Sequence, residues 1–160
     1  PLDIVDVDLT DLIRTAAEAW APRWSSALRT ELPAEPVRVE TDPGRIRQVV
    51  DGLCENALRV VPEGAPLILA VRATAVGGIV EVRDGGPGFT DDDLAVAFDR
   101  GALHHRYHGI RKVGSGLGLA LAARLVQRLG GTIEAGHAAE GGARFTVRLL
   151  LQEGTHRGQQ

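Results

Sequence analysis

The sequence predicts a single domain of mixed helix and strand, an α/β fold, and three observations carry that prediction. Two stretches repeat apolar residues at helical spacing: Ile46, Val49, Val50, Leu53, Ala57 and Val60 in one, Leu117, Leu121, Leu125 and Leu129 in the other. Two pairs of apolar runs, Leu67 to Thr74 with Ile79 to Arg83 and Thr132 to Ala135 with Ala143 to Leu151, read as paired strands. A length of 160 residues, 44% hydrophobic and 24% charged, suits one domain with a sizeable core.

The same composition excludes several classes of function. A net charge of −3 leaves no basic surplus to displace counterions, which argues against a nucleic-acid partner. No apolar run reaches the length of a membrane span and no signal-peptide pattern opens the chain, so no membrane contact is expected of this fragment. Cys54 is the only cysteine, which rules out an internal disulfide and fits a reducing, cytoplasmic compartment.

Leu2 to Asp8 alternates apolar and acidic residues and reads as a short extended lead-in. Thr10 is the predicted cap of a first helix, whose buried side carries Leu9, Ile13, Ala16, Ala17 and Trp20. Pro22, Pro33 and Pro36 punctuate a region predicted to hold one or two short strands, including Val37 to Glu40. Asp42-Pro43 then places a capping carboxylate before a proline at the first helical position, and the helix is predicted to run to about Val61. On it Gly52, Asn56 and Arg59 fall at i, i+4 and i+7 and share a second face. Glycine and asparagine both weaken a helix interior, so this face is either a site or an exposed polar surface.

The hairpin from Leu67 to Arg83 is predicted to turn through Val76-Gly77-Gly78. With Val80 and Val82 facing the core, alternation brings Asp84 out on the same side at the strand end, where a carboxylate needs a donor. It begins Asp84-Gly85-Gly86-Pro87-Gly88-Phe89, a stretch that suits either close approach by a ligand or a tight turn capped by its own Asp. Thr90 to Asp93 opens a short helix predicted to reach Phe98, an anchor for the segment after it. From Asp99 to Val113 periodicity is lost. Arg100, His104, His105, Arg106, His108, Arg111 and Lys112 make a basic segment, readable as a lid carrying cations or as a solvated loop. The histidine spacing there matches no metal ligand set.

Val113-Gly114-Ser115-Gly116-Leu117-Gly118-Leu119 sets glycines at alternate positions and leads straight into the second long helix. Such a turn aims backbone N–H groups and the positive helix end at one point, which suits a phosphate; a flexible turn before a core helix is the alternative. Gly130-Gly131 end that helix, and the last strand pair turns Ala143, Phe145, Val147 and Leu149 inward. Residues 152–160 contain no apolar residue and are expected to be a disordered tail, leaving 1–151 as the domain.

Taken in order, four segments resemble the boxes of the ATP-binding catalytic domain of bacterial sensor histidine kinases, within the GHKL ATPase superfamily. Gly52-Leu53-Cys54-Glu55-Asn56-Ala57-Leu58-Arg59 is similar to the N box, Asp84-Gly85-Gly86-Pro87-Gly88 to the G1 box, Ala97-Phe98-Asp99-Arg100 to the F box, and Gly114-Ser115-Gly116-Leu117-Gly118-Leu119 to the G2 box. The resemblance covers about Leu2 to Leu151 and implies a two-layer α/β sandwich of the Bergerat type. In such a fold helices cover one face of a mixed sheet, and a lid at about residues 99–115 closes over ATP. It further implies that Asp84 accepts the adenine amino group while Gly86 and Gly88 let the base approach. Asn56 would ligate Mg²⁺, Phe98 would border the nucleotide site, and Arg59 and Arg111, with Arg106, would contact phosphates. Gly114, Gly116, Leu117 and Gly118 would cradle the phosphates.

Two positions depart from the family pattern. Gly52 stands where the N box starts with Asn and where hydrolytic relatives such as DNA gyrase have a water-activating Glu, so water activation is not expected here. Val60 stands where an aromatic residue is common and leaves adenine one stacking partner short. No histidine here has the context of a phosphoacceptor box, and the chain begins at Pro1, so it is expected to be the catalytic portion of a longer sensor. That protein would be a homodimer anchored in the bacterial membrane, with its own upstream dimerisation domain as phosphate acceptor and a response regulator as the next partner; the fragment alone would be monomeric. An anti-sigma-type serine kinase and a degenerate nucleotide-sensing module are the alternatives, the first disfavoured by the missing acidic residue at Gly52.

Overall fold

In a computed structural model of the chain, residues 1–24, 28–88, 90–95, 97–98 and 117–151 are described. Strands β1 (Val5–Asp8) and β3 (Arg38–Thr41) pair as a small antiparallel sheet. A five-stranded sheet is built from β2 (Leu28–Glu31), β4 (Leu67–Thr74), β5 (Gly77–Asp84), β6 (Thr132–His137) and β7 (Ala143–Leu150), in the order β2-β4-β5-β7-β6. β2 runs parallel to β4 and every other neighbouring pair is antiparallel, so the sheet is mixed.

Among the described residues the α-helices are α1 (Leu9–Trp20), α2 (Pro43–Val60), the short α3 (Asp91–Ala95) and α4 (Leu117–Arg128). Alternation along the strands turns Leu67, Leu69, Val71, Val80, Val82, Phe145, Val147 and Leu149 to one side of the sheet. There they meet Leu9, Ile13 and Trp20 of α1, Ile46, Val49, Leu53 and Ala57 of α2, and Val126 of α4 in one buried core. The result is a two-layer sandwich, helices on sheet.

The predicted start of α2 is observed: Asp42 accepts from the Arg45 amide at 3.1 Å, and Pro43 begins the helix. Other local expectations are corrected. Asp8 rather than Thr10 caps α1, accepting from the Asp11 amide, while the Thr10 hydroxyl is drawn away to donate to the Glu35 carbonyl at 3.1 Å. The β4–β5 turn is Ala75-Val76, and both glycines lie inside β5. A Cβ on Gly78 would press on the Val37 and Leu9 side chains at 2.7 and 2.9 Å, so this glycine serves close packing, not the turn. The short helix stops at Ala95, and Phe98 lies in a turn after it, edge-on to Phe145 with centroids 6.2 Å apart. In α4, Leu121 is 55% exposed, and Leu119, Ala122 and Val126 carry the core contact with Leu125 and Leu129 half-buried. A strict i, i+4 row turns about 40° per step and so cannot stay on one face, whereas i, i+3, i+7 does.

Glu81 and Arg83 project from the opposite sheet face, as alternation requires, yet Glu81 is buried. Arg83 pairs with Glu81 and Glu31 at 2.9 Å and with Glu140 at 3.1 Å, so charges from three segments roof the sheet face opposite the core helices.

Candidate functional site

Asp84 ends β5 on the core side, as alternation from Val80 and Val82 predicts, and is 1% exposed. Its Oδ1 accepts from the Gly86 amide at 2.9 Å and from the Ala143 amide at 3.1 Å. Two backbone donors on one oxygen fix the plane of a buried carboxylate, which would otherwise be costly to keep dry. Gly88 takes φ +72°, a backbone state that favours glycine, and lies against the carbonyls of Gly141 and Gly142. A Cβ on Gly86 would sit 3.1 Å from Asp84 Oδ1 and 3.2 Å from Val61 Cγ2, so the loop after β5 is seated on the end of α2.

Asn56 is buried in the C-terminal half of α2, and its Nδ2 has no hydrogen-bond partner; among the described residues only Thr41 Oγ1 shares that condition. A dry, unpaired amide N–H costs roughly 1–3 kcal/mol. One turn earlier, a Cβ on Gly52 would have nothing within 4 Å, so the helix is open on that side. Arg59 is 53% exposed and loosely tethered, its Nη2 lying 3.7 Å from Glu55 Oε2. Glu55 also pairs with Arg23 at 3.2 Å, and the Arg23 guanidinium lies 4.3 Å from the centre of the Trp20 ring. Between Gly52 and Asn56, the Cys54 thiol is fully buried, and burial pushes its pKa up to about 12.

The fold therefore gathers Asn56 and Arg59 on α2 and Asp84, Gly86 and Gly88 at the end of β5, with α4 packed alongside α2. Gly118, in the first turn of α4, is exposed, with nothing within 4 Å of where a Cβ would be. Phe98 reaches the core edge against Phe145. Arg106, Arg111, Gly114 and Gly116 lie outside the described residues, as does the side chain of Leu117, and so does the span assigned to the lid. Sequence reading missed the turn between β6 and β7. Gly142 donates to the Asp84 carbonyl at 3.1 Å, and a Cβ there would overlap Asp84 Oδ1. The available signal was the doublet Gly141-Gly142 just before an apolar strand.

Orphaned Asn56 Nδ2, open space over Gly52 and Gly118, and a fixed buried acid under glycines fit a polar ligand with a flat, amine-bearing end. Comparison with known proteins gives the family of the chain. Residues 41–153 match the family of histidine kinase-, DNA gyrase B- and HSP90-like ATPases. The chain is 38% identical over 145 residues to the signal transduction histidine-protein kinase AfsQ2 of Streptomyces coelicolor, covering 90% of this chain and 26% of that protein. It is 40% identical over 119 residues to the sensor histidine kinase component HK1 of Mycobacterium tuberculosis, covering 72% of this chain and 67% of that one. The ATP binding domain of PrrB from Mycobacterium tuberculosis superposes with a TM-score of 0.75 at 28% identity, over 94% of this chain and 99% of that domain. The chain thus spans about a quarter of AfsQ2.

Proposed function

We infer the function of a chain that belongs to the histidine kinase-, DNA gyrase B- and HSP90-like ATPase family and has the fold of sensor histidine kinase catalytic domains. We propose that it binds Mg-ATP and passes the γ-phosphoryl group to a histidine on a separate dimerisation domain, for relay to a response regulator. The observation that carries the reading is Asn56. A buried amide with an unpaired nitrogen, inside a helix and one turn from a glycine, is a local cost of the kind found where a binding site has displaced stability.

In this reading Asp84 accepts the adenine amino group, held in plane by the Gly86 and Ala143 amides. Gly86 and Gly88 leave the base room to lie against backbone. Asn56 would hold Mg²⁺ through its side-chain oxygen, and the ion would supply neutralising charge for the phosphates. Arg59, weakly held by Glu55, swings to a phosphate oxygen with little loss, because an exposed ion pair contributes about 1 kcal/mol or less. Arg111 and Arg106 add cations, and the amides of Gly114, Gly116, Leu117 and Gly118 complete the cradle at the positive end of α4. Gly52 offers no base for water. A neutral histidine acceptor needs little, being nucleophilic near pH 7.

The acceptor domain, a homodimeric full-length protein and a membrane anchor elsewhere in it belong to the same proposal, as do a cytoplasmic location and a monomeric fragment. Among the described residues no helix is long and apolar enough to cross a membrane. The open side of α2 at Gly52 also favours a second reading, a module that binds ATP without transferring phosphate. Radiolabelled Mg-ATP given to the chain with a supplied dimerisation hairpin separates the two. Acid-labile, base-stable label on the hairpin is the expected result; nucleotide binding without label leaves the sensing module.

A further inference from the structure

Asp84 is held by two separate parts of the chain. One is its own loop, through the Gly86 amide. The other is the turn between β6 and β7, which arrives from 59 residues away to donate the Ala143 amide to Oδ1. The same turn sends the Gly142 amide to the Asp84 carbonyl at 3.1 Å, so the β5–β7 ladder, whose last pair is Arg83 with Arg144, is prolonged around the acid. The turn is internally tied, Ala138 accepting from the Gly141 amide and donating to the Gly142 carbonyl, with Gly141 at φ +102°. No side chain fits at Gly142, because a Cβ would overlap both oxygens of Asp84 named above.

What holds this turn down lies on the other face of the sheet. Arg83, the residue before Asp84, donates from Nε and Nη2 to the two oxygens of Glu140 at 3.1 and 3.2 Å. The two side chains are only 12% and 16% exposed. A two-pronged guanidinium–carboxylate pair fixes orientation as well as distance. The hydrogen bonds from Arg83 hold the Glu140 carboxyl below the usual carboxylate range, the sign expected of a pair that favours the charged form. Strand alternation makes the two contacts two sides of one grip: Arg83 pulls Glu140 from one face, and the turn's amides meet Asp84 on the other.

We propose that the β6–β7 turn, clamped by Glu140 on Arg83 and fitted through Gly142, is a positioning element that sets the orientation of the Asp84 carboxylate and thereby selects purines bearing a 6-amino group. The proposal rests on the reading that Asp84 accepts the adenine amino group. Glu140, Arg83 and Gly142 touch no nucleotide in it; they act through Asp84.

The test measures dissociation constants of Mg-ATP and of inosine triphosphate, which carries a 6-oxo group instead, for the whole chain and its variants. Wild type prefers ATP, and Asp84→Asn loses that preference. Glu140→Ala lowers ATP affinity about fivefold and leaves inosine triphosphate unchanged, as coupling within one hydrogen-bonded network predicts. Glu140→Gln, which keeps one hydrogen bond to Arg83, recovers part of the loss. Gly142→Ala loses more, and if it fails to fold the Glu140 pair still decides. If Glu140→Ala keeps the wild-type ratio of the two affinities, or weakens both nucleotides equally, the turn is merely structural and the proposal falls while the Asp84 assignment stands. If wild type itself does not distinguish the two nucleotides, the Asp84 assignment falls and takes the proposal with it.

Discussion

The two ends of the candidate nucleotide site are built on opposite principles. At the base end Asp84 is buried, bonded to amides from two segments and hemmed in by glycines, of which Gly142 admits no side chain. At the phosphate end Asn56 keeps an unpaired amide nitrogen, Arg59 has a long contact to an exposed partner, and Gly52 and Gly118 face open space. Among the described residues, one end is finished before a ligand arrives and the other is left incomplete. The base end can therefore discriminate by shape and hydrogen bonding from a rigid frame. In the proposed function, the phosphate end would be free to change its contacts as a triphosphate is bound, used and released, which a transferase requires and a rigid cage would oppose.

That contrast breaks most readily at Asp84. Asp84→Asn puts an amide donor where the base brings its own donor, and disturbs the amides of Gly86 and Ala143. The expected loss of Mg-ATP affinity is roughly 2–3 kcal/mol, together with a lower Tm. An unchanged dissociation constant in calorimetric titration would remove the base end from the site.

Asn56→Ala should behave differently, which sharpens the comparison. Removing the unpaired Nδ2 relieves a cost that the cavity left by the buried side chain offsets, so thermal unfolding should scarcely change, while the Mg²⁺-dependent part of ATP affinity drops about tenfold, or 1.4 kcal/mol. A large fall in Tm with intact Mg²⁺ dependence would show that Asn56 serves the fold instead.

The smallest effect is expected at Gly52. A methyl group there meets nothing within 4 Å, so Gly52→Ala should raise stability by about 0.5–1 kcal/mol through helix propensity alone. Denaturant unfolding checks this, and destabilisation would mean that the open side of α2 is filled in solution.

Local chemistry was legible in the sequence wherever one segment decides it. Asp42-Pro43 starts α2 because capping and the fixed proline φ act within one helical turn. Asp84 falls on the core side because alternation along β5 leaves no other choice. Legibility failed where a distant segment intervenes. Gly77 and Gly78 read as a turn, but β7 packs so close on the first, and the Val37 and Leu9 side chains on the second, that the strand itself needs glycine. Thr10 read as a cap, until the Glu35 carbonyl claimed its hydroxyl and Asp8 took the role. Glu140 and Gly142 carry no motif, since their importance lies in pairings across 57 residues and more that one strand's pattern cannot display. The N, G1 and G2 segments stood out by type and order, yet the dryness of Asn56 emerged only once α2 was packed.

The buried thiol of Cys54 has a practical consequence. With its thiol buried and its pKa pushed up to about 12, and no other cysteine in the chain, the native protein should react only slowly with maleimide and iodoacetamide reagents. A cysteine introduced at Gly52 or Gly118 would then be the sole reactive handle. Fluorophores or spin labels placed there could report on the phosphate end turn by turn, on an otherwise unmodified background.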